Sequence, residues 1–431
     1  MRIVNALLRS PIISGLCAVG AMYTTAVGDV SITQTGGTMF VLENQIIDQE
    51  RQITLWCQGS PGMSVTITAT SGSNPIRYIH VASEAFTGTT GNVVLTVNES
   101  GGTIPRIGEI YPVSAAPFED GELWIGDVLI SGGIGDPSSP HSRVIFADVI
   151  SRVQVAGTIT ADLVAGPRLF GGDSTIERVR SSNGSILGDI YAPRGGIDEV
   201  YAHVDIGSST DVVFIWAQAS IQSVDAATLY ADINSTSDGG SGDVWFVRAR
   251  SGGFTGALAA RRLESSLNPS GLSIAGDLDA DLAFIQDVRD PILVSGSLPV
   301  DRSIRIGRSM IDNGTTEDGR IVLADGGLAG QVIINAGNLG TPGVWSGTVT
   351  VGSIVLGPGQ SPPNQSPHYG VLSSELGGGA VGLAPFNLHL TDCDPPHGAS
   401  LEFDPTTTVY LRHYGPVFWE AQSNPDPVRI F

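Results

Sequence analysis

The chain has 431 residues, more than one small core needs, and only 15% of them are charged. A net charge of −21 excludes nucleic acid as a partner, because binding a phosphate backbone needs a basic footprint. All 22 basic residues are arginine, which also excludes chemistry that runs through a lysine Schiff base or a lysine general base.

Residues 1–28 read as a signal peptide. Arg2 and Arg9 supply the positive end, Ile12 to Met22 is apolar or small, and "TTAVGD" sets Ala26 and Gly28 at positions −3 and −1 of a cleavage site after Gly28. The apolar run is too short to span a bilayer, so no transmembrane anchor is expected. The chain is therefore expected to be exported, to the periplasm, the outer surface or the extracellular space. After cleavage two cysteines remain, Cys57 and Cys393. In an oxidising compartment they are candidates for one disulfide, with two buried free thiols as the alternative.

Val, Ile, Thr, Gly and Ser dominate, and no apolar pattern of period 3.6 persists between caps, so strands are expected throughout. In residues 29–119, "SVTITAT" (64–70) and "NVVLTV" (92–97) alternate with period 2. This part is expected to be a β-rich N-terminal cap.

From residue 120 two phrases recur. The first is apolar-x-(Ala or Gly)-Asp-apolar: "IFADV" (145–149), "ITADL" (159–163), "ILGDI" (186–190), "LYADI" (229–233), "IAGDL" (274–278) and "LDADL" (278–282), with "WIGDV" (124–128) close to it. In a strand the apolar ends and the small residue share the inner face, and Asp points outward. The second phrase is Ile-x-x-Val, starting at Ile150, Ile176, Ile197, Ile221 and Ile285, with "VWFV" at Val244 near a missing start. The first three spacings are 26, 21 and 24 residues. Two apolar residues three apart cannot face the same way in a straight strand, so a bend is expected inside each phrase. Self-similarity at this period means a stacked array, in which neighbouring repeats bury one another's interior.

On these phrases the chain resembles the right-handed parallel β-helix proteins of bacterial cell surfaces and secretomes, over roughly Asp120 to Gly357. The expected fold is therefore all-β: a parallel β-helix over 120–357 with coils of about 21–26 residues, flanked by β-rich N- and C-terminal parts. A β-propeller-like repeat is the structural alternative, since pairs of coils sum to the length of a blade. "GPGQSPPNQSPH" lies in the linker expected at 358–368, and residues 369–431 form the C-terminal β-rich region.

The resemblance implies either an exported acidic solenoid with a structural, adhesive or ligand-binding role, or a polysaccharide-active hydrolase or lyase on the same scaffold. An extracellular glycan or a surface protein is the partner class it implies. Lyases of this type often use Lys and Arg for proton abstraction, and Lys is absent; the grouped-carboxylate motifs of the hydrolases, with their nearby His-bearing motif, are not found. Asp198 and Glu199, with Arg178 one coil earlier, are the cluster to which a catalytic reading attaches, because two facing carboxylates can divide acid and base roles. Read as structure, they are an exposed acidic strand with a cross-coil ion pair.

Asp162, Asp189, Asp211 and Asp232 lie 12, 13, 14 and 11 residues after successive Ile-x-x-Val starts. They are expected to form an outward carboxylate column, and Ca2+ is the metal such an oxygen-rich column suits. The competing expectation is that each Asp bonds local backbone at a coil corner. The histidines at 80, 141, 203, 368 and 389 form no cluster in sequence, and "DCDPPH" (392–397) with His413 has no standard metal-ligand spacing.

Overall fold

Parallel pairing organises the chain. In a computed structural model, residues 24–27, 29–59, 63–85, 92–113, 122–166, 175–236, 242–265, 270–296, 298–299 and 301–307 are described, followed by isolated backbone strands up to Thr408–His413. Every regular element among them is a strand. Two large, mostly parallel sheets result, and the chain passes back and forth between them, some repeats giving two successive strands to one sheet.

In the first sheet, Met63–Ala69, Asn92–Glu99, Glu122–Ile130, Val149–Val155, Ile176–Ser181, Ile197–Ala202, Ile221–Ala226 and Asp243–Ala249 pair in parallel, each with the next. In the second, Glu50–Gly59, Ile76–Ala85, Arg106–Val113, Val144–Ala147, Asp162–Ala165, Ile190–Ala192, Val213–Ala217 and Thr228–Asn234 do the same. The second ladder continues through Phe254–Ala260, Leu278–Phe284 and Ser303–Ile306. Neither ladder closes on itself. The propeller alternative fails on this pairing, because blades are separate sheets of four strands arranged radially, whereas these sheets run the length of the chain.

The interior explains the strands. Ile125, Ile150, Ile176, Ile197, Ile221 and Val244 stand in register across the first sheet, as do Val128, Val153, Val179, Val200, Val224 and Val247, and all twelve are fully buried. β-Branched side chains suit these stacks, because they pack against their equivalents on either side. The bend expected inside the phrase is present. In 176–179 the burial runs buried, exposed, exposed, buried, and the second residue of each phrase has no partner in the ladder.

One start departs from the pattern. "IQDV" at Ile285 is out of register: Val288 pairs with Leu263, itself opposite Val244, so Val288 holds the first apolar position of its repeat and Ile292 the fourth.

The same stacking begins before residue 120. Glu50–Gly59 and Met63–Ala69 already belong to the two parallel ladders. What covers the first repeat is smaller: Val30–Thr35 lies antiparallel to Met63–Ala69, and Thr38–Ile47 antiparallel to Glu50–Gly59. An antiparallel neighbour satisfies the strand edge that a first repeat would expose. Arg51 pins this cover. Only 1% exposed, it pairs with Asp29 and donates from Nη1 to Asn44 Oδ1 at 2.5 Å.

Cys57, on the interior face of Glu50–Gly59, is a free thiol and fully buried. Its expected partner Cys393 lies outside the described residues, as do the linker 358–368, "DCDPPH" and residues 1–23 of the signal segment expected at 1–28, whose Thr24–Val27 forms a strand antiparallel to Val30–Thr35. Further along, the strand Tyr369–Ser374 pairs in parallel with Gln331–Ile334 and with Thr408–His413.

Candidate functional site

The bend in each Ile-x-x-Val phrase turns two consecutive residues outward, and six such pairs in succession make a groove on the first sheet. One row is Gly126, Ser151, Glu177, Asp198, Gln222 and Trp245. Beside it run Asp127, Arg152, Arg178, Glu199, Ser223 and Phe246, which are in strand register with one another. The groove encloses a volume of about 990 Å3 and extends to Asp225 and Arg248.

Both signs of charge lie along the floor, and several are paired between neighbouring repeats. Arg152 Nε donates to Asp127 Oδ1 at 2.6 Å, and Arg178 Nε to Glu199 Oε2 at 2.7 Å. Gln222 donates to Asp198 Oδ1 at 2.5 Å. At one end Arg248 and Arg250 both hold Asp225, at 2.5 and 2.7 Å, and the Arg248 guanidinium lies 5.6 Å from the centre of the Phe246 ring. Partial desolvation in the groove, then the charge of Glu177, raise the pKa of Asp198 above the usual carboxylate value. A carboxyl with a raised pKa holds its proton to higher pH than a free one, which is what a general acid needs. All three sequence candidates, Arg178, Asp198 and Glu199, are thus brought together in one groove. The residues not foreseen, Glu177, Trp245, Asp127 and Arg152, occupy the same two outward positions of their own phrases, so the phrase itself was their signal.

The expected carboxylate column lies on the outer face of the second sheet, and register divides it. "ITADL", "ILGDI", "LYADI" and "LDADL" do occupy equivalent positions, with the Asp outward and the small residue buried. "WIGDV" does not, because Asp127 belongs to the first-sheet groove, and Asp148 of "IFADV" accepts from the Leu123 backbone at 2.7 Å. Asp162 and Asp189 are neighbours: the Asp189 amide donates to Asp162 Oδ1 at 2.9 Å. The position after Asp189 is held by Phe214, whose amide donates to Asp189 Oδ1 at 2.8 Å, and Phe214 in turn pairs with Asp232. Asp232 is therefore separated from Asp189 by a whole repeat and does not join it. Asp211 leaves the ladder altogether, in a Ser208–Asp211 turn entered through Gly207. Gly207 has φ +73°, and a Cβ there would lie 2.1 Å from the Tyr230 carbonyl oxygen, so only glycine opens this turn.

The group that gathers the acids is His141, which the sequence left unassigned. Its Nδ1 lies 2.7 Å from Asp162 Oδ1 and 3.8 Å from Asp189 Oδ2, and its Nε2 lies 3.3 Å from Asp211 Oδ2. Burial by itself lowers the imidazole pKa, but the hydrogen bond with Asp162 and the charges of Asp162, Asp189 and Asp211 outweigh it and raise the pKa. Tyr191 donates its hydroxyl to Asp189 Oδ2 at 2.9 Å, which holds that carboxylate in place. The amides that cap Asp162 and Asp189 come from the following repeat, 27 and 25 residues along the chain, and so are not the local corner bonds of the competing expectation.

Comparison of the chain with protein-family models, with curated proteins and with solved structures returned no match.

Proposed function

We propose that the chain is an exported right-handed parallel β-helix that binds an extended polymer, a glycan, along its groove at the cell surface or outside the cell. Two mostly parallel sheets sharing one continuous apolar interior support the coil geometry, and crossovers between parallel strands are right-handed almost without exception. The observation that carries the ligand reading is the pair of outward rows. Six repeats at about 4.8 Å each give a track of roughly 24 Å, which suits a chain of repeating units rather than one small molecule. Arg, Glu and Gln side chains supply donors and acceptors for hydroxyl groups, and Trp245 beside Phe246 supplies an apolar platform for a sugar face. Electrophoresis through gels containing neutral or acidic polysaccharides tests this. The expected result is retardation by at least one polymer, weakened about tenfold by Trp245→Ala with the fold intact. Free migration in every polymer discards the reading.

A second reading is hydrolysis of the bound polymer, favoured by one observation: the raised pKa of Asp198 next to Glu199. Release of reducing ends, abolished by Asp198→Asn with polymer binding retained, is its test; binding without release leaves the groove as a binding site alone.

A further inference from the structure

The His141 site stands on the other sheet from the groove and needs its own account. We infer that His141, Asp162 and Asp189 form a binding site for a first-row divalent transition metal such as Zn2+, with Asp211 as the group that orients the imidazole.

The donor set comes from three separate segments: the loop before Val144–Ala147, the start of Asp162–Ala165, and the residue before Ile190–Ala192. One atom from each of the three side chains lies within 4.8 Å of the others. Donors held at about 2.0–2.2 Å from a tetrahedral zinc are roughly 3.3–3.5 Å apart. The Nδ1 separations, 2.7 Å to Asp162 and 3.8 Å to Asp189, fall on either side of that value, so small rotations of two side chains reach it.

The two ring nitrogens face different partners. Nδ1 faces the two carboxylates, while Nε2 faces only Asp211. With Nε2–H donated to Asp211, the lone pair is left on Nδ1, where a metal takes it. A carboxylate on the far nitrogen is how metal-binding histidines are fixed in tautomer and made more basic. The two ligand carboxylates are held as well, Asp162 by the Asp189 amide and Asp189 by the Phe214 amide and the Tyr191 hydroxyl. His141 itself is in the left-handed region, φ +62°, and its amide donates to the Thr160 carbonyl at 2.9 Å, so its loop is anchored over the strand that carries Asp162.

The nitrogen donor revises the metal. Ca2+ takes six to eight oxygens, whereas one imidazole and two carboxylates match the N/O preference of Zn2+, Mn2+ or Fe2+. Three protein donors, with the imidazole 30% exposed, leave a coordination position facing solvent.

Isothermal titration of the full chain with Zn2+, and separately with Ca2+, tests the assignment. One Zn2+ per chain, weakened at least 100-fold by His141→Ala and about 10–100-fold by Asp211→Asn, is the expected result. Asp232→Asn is expected to leave affinity unchanged, and Ca2+ to bind far more weakly than Zn2+. Co2+ gives a second readout: visible absorption of a four-coordinate nitrogen-bearing site in the unmutated protein, lost in Asp162→Asn. Zn2+ affinity unaffected by His141→Ala overturns the proposal, as does Ca2+ binding that survives it. If the unmutated chain takes up no Zn2+, the imidazole is an ion-pair clamp among three carboxylates and the metal site is discarded.

Discussion

Arg178 and Glu199 stand directly opposite each other in adjacent repeats, and Arg178 Nε donates to Glu199 Oε2 at 2.7 Å. Their side chains are 47% and 29% exposed, so solvent screens the pair heavily. Exposed pairs contribute about 0–1 kcal/mol, less than the packing beneath them. Its role is therefore to set the shape and polarity of the groove floor. Arg178→Ala is expected to change stability by less than about 1 kcal/mol in urea unfolding while weakening polymer binding. A large stability loss with unchanged binding would mark the pair as structural.

Asp198 carries the opposite sign of effect. Its pKa is higher in the fold than in an unfolded chain, because the groove desolvates it and Glu177 repels its charge. The folded state thus binds the Asp198 proton more tightly than the unfolded state does. The resulting penalty on folding is absent below the unfolded pKa of 3.8, grows as pH rises through the folded value and is complete at neutral pH. Asp198→Asn removes the charge and keeps an oxygen acceptor for Gln222. Melting curves are expected to show the variant slightly more stable than the parent at pH 7, by less than about 1 kcal/mol after solvent screening, with no difference near pH 3. A variant destabilised at pH 7 contradicts this account.

The interior columns set the largest stability effects. Ile176 is fully buried between Ile150 and Ile197 in register. Ile176→Ala is expected to cost about 2–5 kcal/mol and Ile176→Val about 0.5–1.5, because a stacked column closes poorly over a void. Measuring both in denaturant checks the ordering; equal effects would mean the site relaxes freely.

Burial pushes the Cys57 thiol up to about 12, so at neutral pH almost none of it is thiolate. Titration of the folded chain with a thiol reagent is expected to show no Cys57 modification over hours, with rapid labelling once denaturant opens the first repeats. Prompt labelling under native conditions would show that this end of the stack opens readily.

The bend beneath the groove was legible in the sequence because its cause is local. Two apolar residues three apart force a bend, and a bend turns the two residues between them outward, which is where "IDEV" and "IERV" place Asp198, Glu199 and Arg178; that successive bends line up into a groove was set by register. The cluster around His141 was half legible. Asp162 and Asp189 hold the fourth place of "ITADL" and "ILGDI" in adjacent repeats, 12 and 13 residues after the preceding Ile-x-x-Val starts, so counting along the chain finds both. The same counting fails at Asp211, because Gly207 opens an extra turn that shifts the ladder position to Phe214. Asp232 then falls a repeat too far away.

Residue chemistry and period alone determined the all-β character, the repeat, which side chains face inward and the absence of lysine chemistry. Each rests on the twofold alternation of a strand or on composition, which need no partner. Tertiary structure decided register, where the stacking begins, and which acids meet. Corner loops vary in length from repeat to repeat, so equal spacing in sequence does not give equal height in the stack. His141 shows the consequence: it meets Asp162, Asp189 and Asp211, 21 to 70 residues along the chain, because stacking returns each repeat to the same face.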